Sequence, residues 1–338
     1  MIRTPNVGAA TFRDLINRFG SAETALEMLP ELMVSGGARK AVRIPTVAEA
    51  EAELETARRA GARFVGIGEA DYPPLMKSMD HPPPLLAVKG EGAVFRLPAV
   101  AIVGARNASL AGIKMARTLA AELGRDGFGI VSGLARGIDT AAHQGSLASG
   151  TIGVLAGGLD LPYPPDNAAL CNEIAERGGA IISEMPFGWQ PRAQDFPRRN
   201  RLVAGAALGL VVVEAALRSG SLISARLAGE MGRLVFAVPG SPLDPRAAGA
   251  NALLKDGATL VTEAADITGA IAPLVGKLAP RTPLLEEPPD FSATPPPGED
   301  DAPASSKRSA QRRWRSTKSS ATPACIPPRF SWCCWNST

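Results

Sequence analysis

FGIVSGLARGIDTAAHQG, residues 128–145, is an apolar run that breaks at Ser132-Gly133 and restarts as a helix through Arg136-Gly137. A strand ending in Ser-Gly and opening a helix presents free backbone N–H groups where an anion can be held. The same rhythm recurs on both sides. Apolar runs stand at AVAIVG (99–104), TIGVLAG (151–157), AIISE (180–184), LGLVVVEA (208–215), RLVFAVPG (233–240) and TLVT (259–262). Helical segments such as LAGIKMARTLAAELGRDG and SGSLISARLAGEMG lie between them. Continuous apolar strands alternating with helices predict a mostly parallel sheet covered on both faces. The expected fold is therefore α/β, a Rossmann-like doubly wound domain over residues 98–275. Ligands of such sheets bind beyond the carboxyl ends of the strands, so the loops after each run are the candidate sites.

Ahead of this domain, residues 1–75 read as a small helical domain, with apolar residues at three-to-four spacing and Thr11 and Ser21 as expected caps. Its opening, PNVGAATFRDLINRFGS, is similar to a helix-hairpin-helix (SAM-like) unit, and an ordinary helical bundle fits it equally well. Residues 76–97 read as a Pro-rich extended connector, and 276–302 as a Pro- and acid-rich linker expected to be disordered. No apolar run approaches the roughly 20 residues of a membrane span. The first residues lack an apolar signal core, so a cytoplasmic protein is expected.

The net charge of +3 comes from one end of the chain: residues 301–338 hold seven Lys/Arg and one acid, leaving 29 basic and 32 acidic residues before them. Bulk charge therefore gives no support to nucleic-acid binding, and any such case rests on a local patch.

The loops narrow the chemistry. After Gly104-Ala105-Arg106 the next glycine is Gly112, so the dinucleotide fingerprint GxGxxG is missing. No GxxxxGK[ST] phosphate loop exists either, and no cofactor is expected. With only His81 and His143 in the chain, a multi-histidine metal site is excluded. Asp139 and His143 lie four apart on one helix face, which fits a catalytic pair or, more simply, a capping Asp beside a packed His. The segment QPRAQDFPRRNR (190–201) places four arginines and Phe196 within ten residues. Guanidinium forks match phosphate oxygens and an exposed ring stacks on a base. Equally, Arg198 and Arg201 can pair with acids while Phe196 joins the core.

In order and spacing, GARNAS, SGLARGIDTAAHQGSL, GGLDLPYPPDN, SEMPFG, FPRRNR, VVVEAALRSGSLISA and VPGS resemble the DNA-processing protein A (DprA/Smf) family over about residues 70–265. The resemblance implies a non-catalytic single-stranded-DNA (ssDNA) binder of natural transformation that forms a homodimer through its Rossmann domain and helps load the RecA recombinase. Carried over by motif, Gly104 and Arg106 would hold phosphate. Ser132, Gly133, Arg136 and Gly137 would floor the pocket, with Gly157 and Gly158 beside it. Arg192, Phe196, Arg198, Arg199 and Asn200 would form the DNA-facing arm, and Ser221 would close the site. A different class, the nucleoside-monophosphate phosphoribohydrolases, also uses Gly-rich strand ends and a late glutamate. Glu214 sits suitably, but their PGGxGTxxE stretch is missing.

Members of this family often end in a winged-helix domain, whereas residues 303–338 collect Trp, Cys, Ser and Arg without apolar periodicity. Trp332-Cys333-Cys334-Trp335-Asn336 must be encoded TGG TGY TGY TGG AAY. Regrouped one base earlier, those codons force Val-Leu-Leu-Glu, the kind of run a packed helix needs. A reading-frame slip near residues 299–304 is therefore expected, with a non-native tail in place of the winged helix.

Overall fold

The computed structural model describes residues 1–35 and 43–275; the linker and tail readings lie outside the described residues. Helices α1 (Ala9–Phe19), α2 (Ala22–Ser35) and α3 (Val47–Arg59) form the N-terminal part. Val7, Leu15, Ala25 and Leu29 pack there into a small core of their own. Thr46 starts α3 with a capping box: its hydroxyl accepts the Glu49 N–H while the Glu49 carboxylate accepts the Thr46 N–H. Ser21 caps α2 by accepting the Thr24 N–H at 3.1 Å. Thr11, expected as a cap, lies inside α1, whose N-cap is Gly8.

One nine-stranded sheet follows. Its strands are β1 (Ala62–Gly66), β2 (Leu85–Gly90), β3 (Ala99–Gly104), β4 (Gly129–Ser132), β5 (Thr151–Val154), β6 (Ala180–Ser183), β7 (Gly209–Val213), β8 (Leu234–Ala237) and β9 (Thr259–Leu260). They lie in the order β1-β2-β6-β5-β4-β3-β7-β8-β9. From β3 to β9 every pairing is parallel, as the apolar runs predict. The first two strands depart from the expectation. Residues 62–97, read as the end of a helical domain and a connector, carry β1 and β2, which extend the sheet antiparallel from β6. The register Val88↔Ile182 spans more than ninety residues of chain, a pairing that no local pattern announces.

The crossovers are α4 (Leu110–Arg125), α5 (Ile138–Ser146), α6 (Ala168–Glu176), α7 (Asp195–Gly205), α8 (Gly220–Glu230), α9 (Ala248–Lys255) and α10 (Ala264–Val275). Leu119 and Leu123 of α4, Ile138 of α5 and Ile267 and Ile271 of α10 bury against one face of the sheet. Leu202 and Val203 of α7, Ala225 and Ala228 of α8 and Ala250 of α9 cover the other, with Tyr72 and Met76 from the connector. The first parallel strand, β3, runs between β4 and β7, so the connections leave it in opposite directions and open a crevice at its carboxyl end. Among the described residues no helix is long and apolar enough to cross a membrane.

Candidate functional site

Three loops and one helix meet at the carboxyl ends of β3, β4 and β5. The loop after β3 brings Arg106, the loop after β4 brings Ala135 and Arg136, the loop after β5 brings Tyr163 and Pro164, and α7 brings Phe196 and Arg199. They enclose a cavity of about 50 Å³, room for roughly four waters or one tetrahedral oxyanion. Phe196 is its centre. The Arg106 guanidinium lies 5.2 Å from the ring centroid and that of Arg199 6.0 Å, while Tyr163 meets the ring edge-on at 5.6 Å. Both cations sit within cation–π reach. Phe196 is half-buried and cavity-facing, so the reading that placed it in the core does not hold.

Arg199, expected in the DNA-facing arm, lies buried in the cavity lining. It is 6% exposed and makes no hydrogen bond among the described residues. Its partner is Asp139, 4.0 Å away and equally buried. The guanidinium fits because residue 133 is glycine: a Cβ there would collide with Arg199 Nη1. Asp139 also accepts the N–H groups of Gly133 and Ala135, at 3.2 and 3.3 Å, and so ties the loop after β4 to the start of α5. Burial raises the Asp139 pKa, opposed by Arg199 and by those N–H donors. His143 turns away to Thr151, with Nδ1 2.7 Å from the hydroxyl, and burial pushes its pKa down to about 3. The two residues are a loop brace and a packed neutral imidazole, and no hydrogen bond joins them.

The other arginines sort by their acids. Arg136 lines the cavity and pairs with Asp166 at 2.8 Å. Arg198 and Arg201 both pair with Glu184, whose side chain is largely buried, and Arg198 itself stays half-exposed. Arg192 lies over the Trp189 ring at 5.0 Å, and Asn200 donates to the Gly220 carbonyl at 3.2 Å. Arg106 is exposed and has no acidic partner among the described residues.

Several predicted positions serve the scaffold instead of the cavity. A Cβ on Gly104 would strike the Val213 carbonyl and Ile138, so this glycine lets β3 approach β7 and α5. The Ser132 hydroxyl donates to the Ile102 carbonyl at 2.6 Å inside the sheet. Gly157 and Gly158 seat the 186–191 loop: Gly158 N–H donates to the Trp189 carbonyl at 3.0 Å, and a Cβ on Gly157 would meet Pro191 at 2.8 Å. Ser221, largely buried, bonds Ser219 at 2.6 Å. Gly137 has φ +75°, and a Cβ would crowd the carbonyls of Ala105 and Arg106, so it holds the two loops together.

The anion cradle at the start of α4 is already filled. Glu214, at φ +54°, accepts the Ser109 N–H at 2.9 Å and the Ser109 hydroxyl, while Ser109 Oγ accepts the Gly112 N–H at 3.0 Å. A second cavity of about 300 Å³ opens there, between Ser109, Met115, Glu214, Val238 and Asp244. Its two carboxylates disfavour phosphate, whereas the lining of the first cavity carries three arginines. Tyr163 and Asp166 are the residues that sequence reasoning missed there. Both stand in GGLDLPYPPDN, of which the sequence reading took up only Gly157 and Gly158, and only the path of the loop after β5 brings them to the cavity that Arg136 lines.

The model of the DNA recombination-mediator protein A family matches residues 63–272, and that of the DprA-like N-terminal HHH domain matches residues 1–56. Protein Smf of Escherichia coli (strain K12) is 44% identical over 198 residues, 58% of this chain and 53% of that protein. The match thus spans about half the length of that relative. The structure of DNA processing protein A from Streptococcus pneumoniae superposes with a TM-score of 0.66 at 32% identity, covering 78% of this chain and 98% of that one. The Helicobacter pylori protein, whose structure describes a single-stranded DNA binding mode, gives a TM-score of 0.56 at 31% identity, covering 63% and 96%. With the family model matched over more than half of its length, this chain belongs to the DNA recombination-mediator protein A family.

Proposed function

We propose that this chain binds single-stranded DNA at the arginine-lined cavity and delivers it to RecA during natural transformation, as a cytoplasmic homodimer without catalysis or cofactor. The hand-off and the dimer rest on family membership. What carries the binding reading is Arg106, a cation without an acidic partner among the described residues, lying over the half-exposed ring of Phe196. A phosphate entering the cavity takes the Arg106 fork, and the neighbouring base stacks on Phe196 and Tyr163. Every base has a π-face, so such a site holds any sequence. In a duplex the bases are already stacked and paired, so the rings favour single strands. The phosphoribohydrolase alternative needs Glu214 free for chemistry, whereas its carboxylate caps α4.

The test is a salt-titrated binding assay with matched single- and double-stranded oligonucleotides. Arg106→Ala should weaken ssDNA binding and make the log–log salt slope shallower by roughly 0.7. Phe196→Ala should weaken binding with little change in slope, by about 1–3 kcal/mol. Equal affinity for duplex, or Arg106→Ala indistinguishable from wild type, overturns the proposal. Release of free base from AMP, abolished by Glu214→Gln, overturns its non-catalytic part.

A further inference from the structure

Each cavity arginine except Arg106 is already held by a carboxylate, and the two holds differ in kind. Asp139 and Arg199 are each 7% exposed at the side chain, and separating them would strand a charge in the interior. Asp166 and Arg136 are each 65% exposed. Arg136 Nε and Nη2 both reach Asp166 Oδ2, at 2.9 and 2.8 Å. A solvated pair of this sort is worth less than about fivefold in an equilibrium constant, so a phosphate can take the guanidinium from it.

The position of Asp166 is built into the fold. The next residue, Asn167, is buried, and its amide donates to the Leu134 carbonyl at 2.8 Å and to the Thr140 hydroxyl at 2.9 Å. Those bonds anchor the loop after β5 to the segment that carries Arg136. These bonds hold the acid within reach of Arg136.

Resting on the single-strand reading above, we propose that Asp166 is an intramolecular counter-ion that an incoming DNA phosphate displaces from Arg136, and that it limits how tightly the strand is held. In the free protein Asp139 and Asp166 neutralise two of the three cavity arginines, leaving one net positive charge, that of Arg106. A bound phosphate gains Arg136 only by turning Asp166 out to solvent, and Asp166 reclaims Arg136 when the strand leaves. Such a competitor suits a protein that must give up its ligand, because it lowers affinity without removing the cation that orients the phosphate.

The experiment uses the full chain and an oligothymidylate probe across a salt series. Asp166→Asn keeps the size of the side chain and removes its charge. It should tighten binding by about two- to fivefold and steepen the salt slope by roughly 0.7, with an unchanged melting temperature because the pair is exposed. In an Arg136→Ala background the same substitution should change little. Unchanged or weaker binding by Asp166→Asn, beside a wild type that binds, overturns the inference alone. Equal tightening in the Arg136→Ala background overturns it too, because Asp166 then acts as a general repulsive charge. A wild-type chain without ssDNA affinity overturns the underlying reading and this inference with it.

Discussion

His143 is fully buried in α5, and its Nε2 has no hydrogen-bond partner among the described residues. An unfolded histidine takes up a proton near pH 6.5, whereas burial keeps this one neutral down to about 3. Between those values the unfolded chain binds more protons than the folded one, so stability from this residue falls as pH falls through the window. Asp139 works in the opposite sense. Its folded pKa is raised by burial, so its contribution, full below about 4, is lost as pH rises through the folded value, above which it is the carboxylate that faces Arg199. His143→Gln should therefore flatten the decline of melting temperature from pH 6.5 towards 4, seen by thermal melts in a buffer series. A decline as steep as in wild type would place the acid sensitivity elsewhere. The same region shows how one residue type divides by environment. Arg198 and Arg199 are neighbours in sequence, yet one pairs with Glu184 on the outer side of α7 and the other lies under Phe196 against Asp139. Helical spacing turns adjacent residues about 100° apart, enough to send them to different partners.

At the level of elements, α4 begins on a borrowed cap. Ser109 supplies the N-cap oxygen for Gly112, and Glu214, from the end of β7, supplies the negative charge that the helix dipole favours. Glu214→Gln keeps an acceptor and loses the charge. It should cost about 0.5–1 kcal/mol, a melting temperature lower by roughly 1–4 °C, with ssDNA affinity intact because Glu214 lies outside the arginine cavity. A loss of affinity equal to that of Arg106→Ala would place Glu214 in the binding site. A loop rich in Gly and Ser at a helix start is a good anion cradle by sequence, and here the anion is the protein's own. The sequence contains Glu214 and Ser109 in plain view, 105 residues apart, but their meeting depends on β7 lying beside β3.

Across the whole chain, the basic excess falls in the last 38 residues, outside the span 106–199 that lines the cavity. Removing residues 300–338 should leave the melting temperature of the remainder within about a degree. The selectivity for single over double strands should also persist, since the cavity lies wholly within residues 106–199. Any affinity and salt slope lost on truncation then measures the seven Lys/Arg of the tail, one phosphate contact for each step of roughly 0.7. A truncated chain that melts several degrees lower, or coding DNA whose alternative frame carries stop codons through this stretch, refutes the frame-slip reading.

From sequence alone, the seven parallel strands and their crossover helices could be read, because buried strands leave local signatures in composition and spacing, while Arg106, Arg136 and Phe196, which line one cavity, were named through the motif resemblance. What only the tertiary structure decided was pairing at long range. Strands β1 and β2 joined the sheet through β6, Glu214 closed the α4 cradle, Asp139 drew Arg199 inward and Asp166 reached Arg136. Each is a contact between residues whose own neighbourhoods are indifferent to it. A carboxylate meets whichever cation or N–H group the backbone path sets beside it, and that path is fixed by how the apolar strands order themselves in the sheet.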